Sequence, residues 1–277
     1  MKLCVLSLLF ALLLAGTCAL GEPAPEALPL EAMQQAESAI MAETFEDIKS
    51  PDEPDESHYV AVQTSSPTPR DDLIDDIIAL AEQLYTNANG RSQRAHYAGD
   101  IYICKNFVAH LFLQTAGAYR MAEYPDVPLT IPDNLPREEC EPYSYGIAWT
   151  DIPASEGNPF YAAARFRYND ALTDEQNRAN ARAFLRQVRR GDYFQMAANY
   201  YYGIGAHSLV FIADYDSQTD SVHWTDSNMK GERRNGERYA YVQYDAKREI
   251  DWFIDAFCRK GYGATIYRLR GDIVRAE

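Results

Sequence analysis

The chain has 277 residues, 47% of them apolar, with 26 Lys and Arg against 41 Asp and Glu, a formal net charge of −15. That apolar share supports a sizeable core, so the chain is not disordered throughout. The acidity excludes non-specific binding to nucleic-acid phosphates and electrostatic docking on anionic lipid.

The charge is unevenly spread. Residues 1–21 carry +1, residues 22–70 carry −9 and residues 71–277 carry −7. Residues 1–21 read as an export signal: Lys2 opens it, Leu3 to Ala15 is apolar, and Ala19-Leu20-Gly21 is a small-x-small cleavage site. Its apolar stretch is short for a membrane span of about 20 residues, so no membrane span is expected after cleavage. The expected location is secreted or associated with the cell envelope. Residues 22–70 are rich in Glu, Asp, Pro and Ala, as in PDEPDE at 51–56. Such a segment buries too little apolar surface to offset its ordering entropy. It reads as a disordered linker or, given the helical spacing of Met33, Ile40, Met41, Phe45 and Ile48, as a pro-segment.

Residues 71–277 have the length of one domain. Asp71 to Asn89 is an amphipathic helix, with Ile74, Ile77, Ile78, Ala81, Leu84 and Tyr85 on one side and Asn89-Gly90 closing it. Tyr97-Ala98-Gly99-Asp100 is a turn. A second helix starts near Cys104, buries Phe107, Val108, Leu111 and Phe112, and ends by Gly117. Seven prolines make 118–171 read as irregular, and 118–190 is expected to be an inserted region. Thr173-Asp-Glu-Gln176 is a capping box that starts a helix running towards Gly191. Strands follow at 193–196, 208–215, 221–225, 239–244 and 264–269, with a helix from Lys247 to Lys260 between the last two. Helices followed by a strand meander predict an α+β fold, N-terminal helices packed on an antiparallel β-sheet.

Five cysteines are present, and Cys4 and Cys18 fall within the signal. Cys104, Cys140 and Cys258 remain, an odd number for an exported chain. A Cys140–Cys258 bridge is the pairing that spares Cys104. Cys104 opens a helix, whose positive N-terminal end favours a thiolate. A thiolate nucleophile needs a base, and the base needs an orienting group. His207 opens the apolar run HSLVFIADY directly after a Gly203-Ile-Gly205 turn, and Asp226-Ser227-Asn228 stands near the end of the next strand. If these strands form a hairpin, Asp226 and Asn228 return towards His207. Asp226 or Asn228 is then the orienter, the other closing the turn.

This order resembles the papain-like bacterial amidases and endopeptidases of the CHAP and NlpC type. In them a cysteine opens a helix, a Gly-Asp pair opens the first strand, a histidine opens the second, and an acid or amide lies on the third. The matching residues are Cys104, Gly191-Asp192, His207, and Asp226 or Asn228, over roughly 90–230. Tyr97 matches a tyrosine that helps to bind the oxyanion. The Asp-Cys-Ser-Gly usual in NlpC-type enzymes is Ile103-Cys104-Lys105-Asn106 here. The resemblance implies a papain-like fold and a secreted cysteine hydrolase cleaving an amide bond, in peptidoglycan or a peptide, without cofactor or metal. The alternatives are an inactive binding module on the same fold and a transglutaminase-like acyltransferase.

Other polar residues read as structural. His96, His110 and His223 lie outside this arrangement, and Trp224 reads as core. Asp214, Asp216 and Asp220 lack the turn glycine and final glutamate of an EF-hand loop, and read as a hairpin turn. Tyr200-Tyr201-Tyr202 line a groove or cover a sheet edge.

Overall fold

The computed structural model describes residues 67–88, 93–95, 101–131, 152–200, 203–234 and 237–276. The expected signal at 1–21, most of the acidic segment at 22–70, Tyr97, His96, Cys140, Tyr201 and Tyr202 lie outside these residues. For 198–206 and 228–239 only the described backbone is considered.

Helix α1 spans Pro69–Ala88 and buries Leu73, Ile74, Ile77, Ile78 and Ala81. Tyr85, expected on the same side, is 40% exposed and instead meets Tyr244 with ring centroids 6.1 Å apart. Strand β1 is Gln93–Ala95. Helix α2 is Cys104–Thr115, burying Phe107, Val108, Leu111 and Phe112 as its periodicity predicts.

The stretch expected to be irregular from 118 holds three strands: β2 at Tyr119–Met121, β3 at Tyr124–Pro128 and β4 at Phe160–Arg167. Pro125 and Pro128 are tolerated because β3 is an edge strand, where a missing N–H costs no ladder bond. Helix α3 follows at Asp174–Leu185, and Thr173 and Gln176 form the expected reciprocal cap. The helix stops at Leu185, short of Gly191.

The remaining elements are β5 (Tyr193–Tyr200), β6 (Gly203–Phe211), β7 (Ser221–Arg234), β8 (Glu237–Glu249), α4 (Ile250–Phe257), β9 (Gly263–Leu269) and β10 (Ile273–Arg275). Gly203-Ile-Gly205, expected as a turn, is the start of β6. Lys247 to Glu249, expected as the first turn of a helix, belong to β8. The apolar face Ile250, Phe253, Ile254 and Phe257 is buried as expected.

A seven-stranded sheet runs β1-β8-β7-β6-β5-β9-β4, and a three-stranded one runs β10-β2-β3. Every strand pairing among the described residues is antiparallel. The fold is therefore α+β with antiparallel sheets. Helices α1 and α2 share one core with Tyr193, Val210, Val242 and Tyr267. Residues of α3 and α4 share another with Phe194, Leu209, Phe211, Trp224 and Ile266. Successive strand residues thus feed opposite cores, which explains the unbroken apolar run Leu209-Val210-Phe211. No helix among the described residues is long and apolar enough to cross a membrane.

Candidate active site

Three elements bring the candidate residues together. Cys104 is the first residue of α2. The N-cap, Ile103, is extended and its side chain supplies no capping bond, and the first turn carries no acid. No acid of the first turn offsets the partial positive charge of the helix end. Cys104 is 8% exposed and packs with Ile103 and Ala240.

His207 lies within β6, opposite Met196 of β5, and Asp226 lies within β7, opposite Gln243 of β8. The ladder between β6 and β7 is short, with the pairs Val210↔Thr225 and Phe211↔Trp224. Each residue is therefore fixed by its own hairpin, beyond the point where the ladder joins the two strands. A side-chain bond spans this stretch: His207 Nε2 lies 2.6 Å from Asp226 Oδ2. Both residues are almost fully buried, His207 at 1% and Asp226 at 0% exposure. Asp226 is thus the residue that meets the imidazole. Asn228 lies two residues on, with its backbone opposite Tyr241.

The Cys104 side chain lies near enough to His207 to raise the pKa of its imidazole. Nε2 is committed to Asp226, so Nδ1 is the ring nitrogen that remains for proton transfer. Burial alone would disfavour the imidazolium, but the bonds and charges of Asp226 and Cys104 outweigh it and push the His207 pKa up to about 10. A protonated imidazole beside the sulfur is the arrangement that activates a cysteine nucleophile.

No family model, no curated protein and no solved structure matches the chain. The chemistry of the site therefore rests on its own geometry.

Gly191-Asp192 sits just before β5 and is built into the scaffold. Gly191 has φ +84°, and a Cβ there would lie 2.6 Å from Ile74 Cγ1. Asp192 is fully buried. Its Oδ1 and Oδ2 accept from Arg268 Nε and Nη2 at 2.7 and 2.8 Å, and Oδ2 also accepts from the Arg189 N–H at 2.8 Å. Gly191 N–H donates to the Phe211 carbonyl, and Phe211 N–H to the Asp192 carbonyl, so the pair ties the start of β5 to the end of β6.

The remaining polar residues stand apart. His223 Nδ1 lies 2.6 Å from Asp245 Oδ1. His110 is partly buried, which lowers its pKa. Asp216 accepts from the Gln218 and Thr219 N–H groups, and Arg182 Nη1 reaches Asp220 at 2.7 Å, so these acids serve the hairpin turn. Among the described residues no group of three His, Cys, Asp or Glu is placed to hold a metal ion. Cys258 is a free cysteine away from the triad. Two surface clefts, one lined by Arg70, Arg190 and Arg268 and one by Lys247 and Trp252, include no residue of the triad.

One contact was not expected. Ser227 Oγ–H donates to the Tyr102 carbonyl at 2.9 Å, joining β7 to the segment that leads into α2. Its sequence signal was strand alternation: flanked by Asp226 and Asn228, Ser227 must leave the strand on the opposite side.

Proposed function

We propose that the protein is a cysteine hydrolase that cleaves an amide bond through Cys104, His207 and Asp226. The observation that carries this reading is the buried pair in which Asp226 holds His207 Nε2, with Cys104 close enough to act on the imidazole. Peptidoglycan, by sugar–peptide or stem-peptide cleavage, is the substrate class implied by the likeness to CHAP and NlpC-type enzymes. The likeness also implies a papain-like arrangement and a secreted or envelope-associated protein. The Cys-helix against antiparallel strands is compatible with that arrangement.

In this mechanism the Cys104 sulfur, as thiolate, attacks the amide carbonyl carbon. The C–S bond forms as the carbonyl electron pair moves to oxygen. The positive end of α2, including the Cys104 N–H, stabilises that charge. His207 Nδ1 then donates its proton to the amine nitrogen as the C–N bond breaks, leaving a thioester. Neutral His207 takes a proton from water, which attacks the thioester and releases the carboxylic acid, the thiolate and the imidazolium. Asp226 fixes the ring throughout and stabilises its charge.

The test is digestion of purified peptidoglycan by the wild type and by Cys104→Ala, with fragment masses. The wild type should release defined fragments and the variant none, with unchanged circular dichroism. Equal release by both would overturn the assignment. Fragments carrying a transferred amine would point to acyl transfer.

A further inference from the structure

Ser227 is buried and sits between Asp226 and the strand continuation. Its hydroxyl holds the Tyr102 carbonyl across 125 residues of sequence. Tyr102 lies two residues before Cys104. The reacting thiol is on the first residue of a helix, the end most prone to fray. The N-cap Ile103 adds no side-chain bond to steady it.

Adjacent strand residues leave the backbone on opposite sides. Asp226 uses one side to hold the imidazole, and Ser227 uses the other to hold the turn that carries the nucleophile. One dipeptide of β7 thereby references both reacting groups to the same stretch of backbone.

We infer that Ser227 is a positioning residue that sets the register of Cys104 against His207. This rests on the reading of Cys104 as the nucleophile. A displacement of about 1 Å costs up to roughly a hundredfold in rate, so loss of this tie is expected to be visible in reactivity well before it is visible in stability.

The experiment is alkylation of the full chain by iodoacetamide across a range of pH, with each cysteine followed by peptide mass. Wild-type Cys104 should react in a fast phase, and His207→Ala should abolish that phase. Ser227→Ala should slow Cys104 roughly tenfold or more and move its pH profile towards that of the His207→Ala protein, with Cys258 unchanged. Ser227→Thr keeps the hydroxyl on a strand-compatible side chain and should restore the wild-type profile. If Ser227→Ala does not fold, Ser227→Cys carries the same expectation, since a thiol is a weak donor. A wild-type rate and profile in the folded Ala or Cys variant overturns the positioning role and leaves the nucleophile intact. A slow, His207-independent Cys104 in the wild type instead overturns the reading of the nucleophile itself.

Discussion

Replacing Asp226 by asparagine in a Cys104→Ala background removes one charge beside His207 while keeping side-chain volume. The alanine background matters, because a thiol that titrates beside the imidazole would mask the imidazole's own protonation. With Cys104 gone, Asp226 remains, and its hydrogen bond is foremost among the influences that raise the His207 pKa. If that bond still outweighs burial, the imidazole keeps a raised pKa in this background. A group raised on folding contributes stability that is complete below its unfolded pKa and is lost as pH rises through its folded pKa. In Asp226→Asn only burial is left, and burial lowers the pKa. The buried neutral ring must then charge as pH falls, so stability is lost on the acid side. Each pKa unit is worth about 1.4 kcal/mol, so opposite shifts that together span about two units change the stability difference between the two proteins by roughly 3 kcal/mol between acid and base. Urea unfolding at a series of pH values measures this difference, and groups that titrate alike in both proteins cancel. The Asn protein should be weakest relative to its parent in acid and draw closer in base. Parallel curves would refute a charged His207 held by Asp226.

Arg268→Met should cost about 3–5 kcal/mol at neutral pH, because it strands the carboxylate of Asp192 in the core. Burial already raises the Asp192 pKa against the pull of Arg268, so the deficit should shrink in acid, where the carboxyl takes up a proton; urea unfolding at two pH values checks both points. Gly191→Ala combines left-handed backbone with a clash against Ile74; a loss of about 2 kcal/mol or more is expected. Ile74→Ala should couple to it, so that the double variant loses less than the two single losses together. Thr173→Ala removes the reciprocal cap of α3 and should cost about 1 kcal/mol, read as a lower melting temperature.

What was legible in the sequence was local. The period of Ile74, Ile77, Ile78 and Ala81 marks α1, and Thr173 with Gln176 marks the start of α3. The strands hidden from view lacked local signals. β1 and β10 have three residues each, too few for a period. β4 contains Ala162-Ala163-Ala164, which favours a helix, and pairing with β9 overrides that preference. β7 and β8 run on through the charged stretch around Glu232-Arg233-Arg234, which reads as a loop, because Arg233 and Arg234 find ladder partners in Arg238 and Glu237.

The choice between Asp226 and Asn228 shows why the site was only half legible. Both residues are polar, both favour turns, and both have the same strand parity, so no local rule separates them. The β6–β7 pairs Val210↔Thr225 and Phe211↔Trp224, carried on unbroken, would set Asn228 opposite His207; the ladder ends before that point, and it is the Asp226 carboxylate that meets the imidazole. That register follows from the aromatic and aliphatic residues around it: Phe211 and Trp224 pair within one core while Val210 enters the other. A one-residue slip would move Trp224 out of its core and Asp226 away from the imidazole together. The packing that holds this short ladder thus also holds Asp226 where it meets the imidazole.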